Sequence, residues 1–138
     1  MDMSEMMNAT MADEGMTMMA EMDSAMMMRM TEAMSACMQA CLMCADADGG
    51  EGMARCAAMC ANCADMCQTM MRMLLRPSGM DMMVMSSMAN SVMVMCRACS
   101  AECMMHADEH EHCRMCAMAC DEAAMACEEM LAAMKMMG

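Results

Sequence analysis

From about residue 17 onward the chain reads as long stretches whose buried-type residues return every three or four positions. The clearest are CMQACLMC at 37–44, CAAMCANCADMC at 56–67, CRACSAEC at 96–103 and CRMCAMAC at 113–120. That spacing lines one face of a 3.6-residue helix, with polar and acidic residues on the other faces. Glycines at 15, 49, 50, 52, 79 and 138 and the single proline, Pro77, cut the chain into uninterrupted segments. The remainder after Gly79 is too long for one compact helix, and its polar stretch HADEHEH is the natural break. There Asp108 followed by Glu111 has the form of a capping box, which ends one helix near His106 and starts the next near Glu109. Asp48 with Glu51 has the same spacing before the second helix. The pattern therefore predicts helices over about 17–47, 51–76, 80–106 and 109–136, with a short extra helix from near Ser4 to before Gly15. Four helices of roughly 25–30 residues with short connections form an all-α, up-down-up-down antiparallel four-helix bundle. A length of 138 residues suits a single domain, 1–138, with one core.

Composition sharpens this. There are 38 Met and 14 Cys but no Phe, Tyr, Trp or Ile, with Leu at four positions and Val at three. Met and Ala must fill the interior; both favour helix, and strand formers are nearly absent. The net charge of -13 argues against nucleic acid and anionic membrane surfaces as partners, and suits attraction of cations. Acidic residues interrupt the Met clusters, so no apolar run of transmembrane length is expected. The start, MDMSEMMNATMADEG, lacks the basic region of a signal peptide, which points to a cytoplasmic chain, or else to a mature form already stripped of its signal. In the cytoplasm cysteines serve metals or redox chemistry more often than disulfides.

The cysteines fall at 37, 41 and 44; at 56, 60, 63 and 67; at 96, 99 and 103; and at 113, 116, 120 and 127. Every step within a segment is three, four or seven, so each set forms one stripe facing the bundle axis. Cys37, Cys41, Cys44, Cys56, Cys60, Cys63, Cys67, Cys96, Cys99, Cys103, Cys113, Cys116, Cys120 and Cys127 are all candidate metal ligands. As plain small hydrophobes they would pack no better than Ala or Val and oxidise readily. As disulfides many would be too far apart across facing helices, or strained along one helix. Soft thiolates select Cu(I), Zn(II) or iron–sulfur clusters. Iron–sulfur is disfavoured because its tight loop spacings are absent. A four-thiolate zinc site keeps two negative charges, and several in one buried core would be costly. Cu(I) bridged by thiolates, about one ion per sulfur, leaves the core close to neutral.

The motifs CRACSAEC followed by HADEHEHCRMCAMAC, with CAAMCANCADMC and CMQACLMC, make the chain resemble the copper storage proteins. The resemblance spans about residues 17–136 in architecture and is most specific over 96–120. It implies a four-helix bundle whose Cys-lined core fills with Cu(I). The cytosolic branch of that family implies a homotetramer storing many cuprous ions, supplied by a copper donor or chaperone. The chain departs from the family pattern in having fewer cysteines than many cytosolic members. Ala123 and Ala124 stand where the last stripe had room for Cys. The use of Met for nearly every large apolar position is not a family feature and has the look of an engineered enrichment.

His106 extends the third stripe by three residues beyond Cys103, and His110 precedes Cys113 by three. Both are candidate copper ligands at a doorway, passing Cu(I) inward, against the plainer reading of polar residues in an exposed turn. His112 is about 100° off the stripe and is expected to face solvent. Met27, Met30, Met34, Met85, Met88, Met130 and Met134 continue the stripes away from the thiols. A Met stripe at helical spacing is core packing more often than a ligand set. The functional reading is thus a store that sequesters Cu(I). The alternatives are a Met-rich bundle built to test core replacement, or a multi-zinc thiolate protein. An enzyme is not expected: no nucleophile sits beside a base, and no phosphate loop or open three-ligand metal site is visible.

Overall fold

The computed structural model describes residues 2–14 and 24–137. Among these the regular structure is helical: α1 (Met3–Glu14), α2 (Ser24–Gly50), α3 (Ala54–Leu74), a 3-10 turn (Pro77–Gly79), α4 (Met82–Met104) and α5 (Glu111–Met137). The expected start of the first long helix near Thr17, and the break at Gly15, lie outside the described residues. The short N-terminal helix is present as α1, which packs on α2 and on the turn at Pro77. The four long helices pack in the cyclic order α2, α3, α4, α5 and back to α2.

Each long helix turns one stripe inward. On α2 it runs Met27, Met30, Met34, Cys37, Cys41, Cys44 and Asp48; on α3, Cys56, Cys60, Cys63, Cys67, Met70 and Leu74. On α4 it runs Met85, Ala89, Val92, Cys96, Cys99 and Cys103, and on α5, Cys113, Cys116, Cys120, Ala123, Cys127, Met130 and Met134. These are the three- and four-residue steps of the sequence, now buried together. The interior has two halves, one lined by thiols and one by Met, Leu, Val and Ala. The stripe methionines pack as expected except Met88, which lies beside the stripe and is only partly buried.

The connections explain where the helices stop. α2 continues through Gly49 and Gly50, beyond the expected end at 47. Asp48 is therefore inside its last turn, where its carbonyl accepts from the Glu51 and Met53 N–H groups at 3.0 and 3.1 Å. Asp48 and Glu51 do not cap the next helix; α3 begins after Met53, with no side-chain cap. Gly52, at φ 76°, makes the reversal in the left-handed region that a side chain disfavours. Pro77 occupies the first position of the 3-10 turn, where its missing N–H costs nothing. Asp81 then caps α4, its side chain accepting from the Val84 N–H at 3.0 Å.

The capping box expected at Asp108 and Glu111 does not form. The turn after α4 stays tightly wound: the Glu109 and His110 N–H groups both donate to the His106 carbonyl, at 3.2 and 2.9 Å. The next helix starts two residues later than expected, at Glu111. A second expectation also changes: α4 is long and apolar enough to cross a membrane by length and composition alone. Met, Val and Cys supply that hydropathy, and its inward stripe is packed against α3 and α5.

Candidate metal centre

All fourteen cysteines carry free thiols and are exposed by 1 % or less. The helix steps that bury them also stack them, and sulfur follows sulfur along the axis. Cys63 and Cys67 lie 3.7 and 3.8 Å from Cys96. Cys37 lies 3.8 Å from both Cys63 and Cys120, and Cys41 lies 3.7 Å from both Cys116 and Cys120. Cys60 reaches Cys103 at 3.6 Å, Cys99 at 3.7 Å and Cys116 at 3.9 Å. Cys56 reaches Cys103 at 3.9 Å, and Cys44 reaches Cys113 at 4.0 Å.

These contacts resolve into quartets whose ligand atoms all lie within 4.8 Å of one another. Cys37, Cys63, Cys67 and Cys96 form one; Cys37, Cys41, Cys63 and Cys120 the next; then Cys41, Cys99, Cys116 and Cys120. Cys44, Cys60, Cys103 and Cys116 follow, and Cys44, Asp48, Cys56 and Cys113 close the series. Each quartet shares a sulfur with its neighbour: Cys37 and Cys63, then Cys41 and Cys120, then Cys116, then Cys44. A metal–thiolate bond is about 2.3 Å, so two sulfurs on one ion sit at most ~4.6 Å apart. The distances suit metal binding, and the shared sulfurs suit thiolate-bridged soft ions, which leave less negative charge to bury than separate four-thiolate sites would. Cys127 is fully buried one heptad beyond Cys120. Burial, followed by the nearby Cys37 and Cys63, pushes its thiol up to about 12.

The series ends in a polar mouth. Asp48 is fully buried, with Oδ1 3.6 Å from the Cys113 sulfur and Oδ2 3.7 Å from that of Cys44. Burial first, and the Asp48 carboxylate next, hold the Cys56 and Cys113 thiols well above the ordinary range. Cys44 is raised too, first by burial and then by the charges of Cys60, Cys116 and Asp48.

His112 is not turned to solvent as its position on the wheel suggested. Its Nδ1 lies 3.4 Å from the Cys44 sulfur and 3.6 Å from that of Cys113. On its other side Nε2 lies 2.6 Å from Glu51 Oε1, so the ring bridges that carboxylate and the thiols. The reason is the late start of α5: His112 sits in its first turn, beside Cys113, and swings over the mouth. His110 shares the same carboxylate, with Nδ1 2.5 Å from Glu51 Oε2. His106 is held by Glu102, whose Oε2 lies 3.1 Å from its Nε2 while Oε1 accepts from Arg55 at 3.0 Å. Thus the two histidines expected as ligands rest on carboxylates at the rim, and His112 makes the thiol contact. Asp48 and His112 were missed as site residues. The clue to Asp48 was its place four residues after Cys44, where the stripe simply continues.

Comparison with known proteins bears on the same residues. The profile of the family described as copper storage protein matches residues 9–132. No curated protein sequence matches the chain. Among solved structures, the copper storage protein Ccsp of Streptomyces lividans loaded with 10 copper equivalents is 38% identical, with a TM-score of 0.75. The match covers 80% of this chain and 86% of that one. A second structure, of copper loading to the cytosolic copper storage protein of the same organism (five coppers), is 38% identical with a TM-score of 0.74. It covers 78% and 93% of the two chains. A histidine-to-alanine mutant of Ccsp matches at 36% identity and a TM-score of 0.76, over 81% and 97%.

Proposed function

This chain belongs to the copper storage protein family, and from that premise we propose how its residues divide the work of holding copper. The protein sequesters multiple Cu(I) ions as cargo on buried thiolates. In our reading the fourteen cysteines are the store, in one domain built as an up-down-up-down antiparallel bundle. The short connections at 51–53 and 105–110 support that topology. The observation that carries the reading is the unbroken series of quartets joined by shared sulfurs.

His106 and His110 mark the doorway at which a copper donor or chaperone delivers its ion. Asp48 and His112 form the first landing inside it, with a carboxyl oxygen and an imidazole nitrogen beside Cys44 and Cys113. A cytosolic location and association into a homotetramer complete the proposal; the first is supported by the cytosolic Streptomyces lividans relative. The role is storage, without a catalytic step.

An anaerobic Cu(I) titration of the reduced protein against a competing chelator tests the assignment of ligands. About one ion per Cys is expected, as bridged neutral sites require. Saturation at a few ions, with zinc bound more tightly than copper, would refute it.

A further inference from the structure

Thioethers crowd the surface around a core whose thiols are sealed. Met43, Met104, Met105, Met115, Met118 and Met125 are between 51% and 76% exposed, while no cysteine exceeds 1 %. All six lie on or beside thiol-bearing turns. Met43 precedes Cys44, Met104 and Met105 follow Cys103, and Met115 precedes Cys116. Met118 and Met125 fall between later cysteines of α5. All six are more exposed than buried, although the Met118 sulfur also accepts from the Arg114 guanidinium at 3.3 Å.

The two sulfur types differ in whether an oxidant can reach them. A thiol must be reached to react, and every cysteine is sealed in the core at 1% exposure or less. A thioether has no proton to lose and reacts wherever it is reached. Oxidising a buried Met such as Met27 or Met30 would place a polar sulfoxide in the core, whereas at an exposed Met the new oxygen meets water.

We propose that the exposed methionines are a sacrificial oxidation shell that consumes hypohalous acids before they reach the copper-holding thiols. The thioether sulfur attacks the chlorine of hypochlorous acid, an S–Cl bond forms, and the O–Cl bond breaks with loss of hydroxide. Water then adds at sulfur and chloride leaves. The net change is thioether plus HOCl to sulfoxide plus chloride and one proton; sulfur loses two electrons and chlorine gains them. The sulfoxide is a reversible product, restored by sulfoxide reductases. Met104 and Met105 lie at the end of the bundle through which copper must pass. At 56% and 76% exposure both sulfurs are open to an oxidant arriving at that end.

The test is a hypochlorous acid titration of the reduced, copper-free protein, with sulfoxides located by peptide mass spectrometry. Surviving thiols are counted by alkylation after unfolding. Over the first about six equivalents, sulfoxide at exposed methionines should exceed thiol loss by about five-fold. Replacing the six methionines together with Met3, Met6, Met83 and Met136, which are also exposed, by Leu, which conserves volume, should raise early thiol loss about five-fold. Thiols lost in step with sulfoxides in the parent protein would overturn the proposal, as would a helical Leu variant that loses thiols no faster. If that variant does not fold, as judged by its helical circular dichroism, the order of oxidation in the parent decides alone. Copper plays no part in either measurement, so the outcome is independent of the storage reading.

Discussion

A thiol that burial holds above its ordinary range, as at Cys56, Cys113 and Cys127, keeps its proton at neutral pH, and Cu(I) must displace it. Cys127, raised to about 12 from an ordinary 9.0, states the rule most simply, because burial leads its causes. Loading should therefore release about one proton per ion, and the apparent affinity should weaken as pH falls. The sign for stability is the reverse of the usual carboxylate case. Between 9.0 and about 12 the folded copper-free chain keeps protons that the unfolded chain has lost, so its stability falls as pH rises through that window. It is full below the unfolded value. A melting temperature of the copper-free protein that stays level from about pH 8 to about pH 11 would contradict this. At the rim, His106 and His110 rest on Glu102 and Glu51. Replacing both by Ala should slow copper uptake or removal and leave the final capacity nearly unchanged. Unchanged rates in stopped-flow loading and in chelator-driven release would return them to being ordinary turn residues.

Helices are set here more by punctuation than by hydrophobicity, since Met and Ala favour helix almost everywhere. Gly52 is the sharpest stop. Its left-handed backbone suits glycine alone, although a methyl group there would meet nothing within 4 Å. Gly52→Ala should thus cost about 1–2 kcal/mol through the backbone only. Gly49→Ala, inside α2, should be neutral or stabilising by up to about 1 kcal/mol. Urea denaturation of the copper-free protein reads both, and equal effects would disprove the contrast. The same punctuation made the long helices and all four thiol stripes legible in the sequence. Where reading failed, two local signals competed. Asp108 and Glu111 have the letters of a capping box, but the turn at His106 keeps accepting backbone donors, and Glu111 pairs instead with Arg114 at 3.0 Å. That shift of two residues is also why His112 was misread. Its angle on a helical wheel was sound, but first-turn side chains are placed by the loop they close, which one-dimensional periodicity does not contain. Asp48 was read as a cap because an acid near glycines looks like loop, whereas it continues the stripe of α2.

At the scale of the molecule, the thiols and the methionines divide the core along its length. The quartets run from Cys67 and Cys96 to Asp48 and Cys113, and every step is bridged by a shared sulfur. Cys127 lies farther down, roughly 20 Å from Cys113 at 1.5 Å per residue. Beyond it the interior is Met27, Met30, Met70, Leu74, Met85 and Met130, all at 2% exposure or less. Thioethers are neutral and cannot balance the charge of Cu(I), so an ion there would be a buried, uncompensated cation. The thiols at the other end can each give up a proton as an ion binds, and the resulting Cu(I)–thiolate sites stay close to neutral. Copper should accordingly fill the half of the core nearest Asp48 and His112, thin out toward Cys127, and leave the methionine half empty. Anomalous scattering from a loaded crystal locates each ion directly. Ions spread evenly along the axis, or held mainly by Met27, Met30, Met85 and Met134, would show that the methionines are ligands as well as packing.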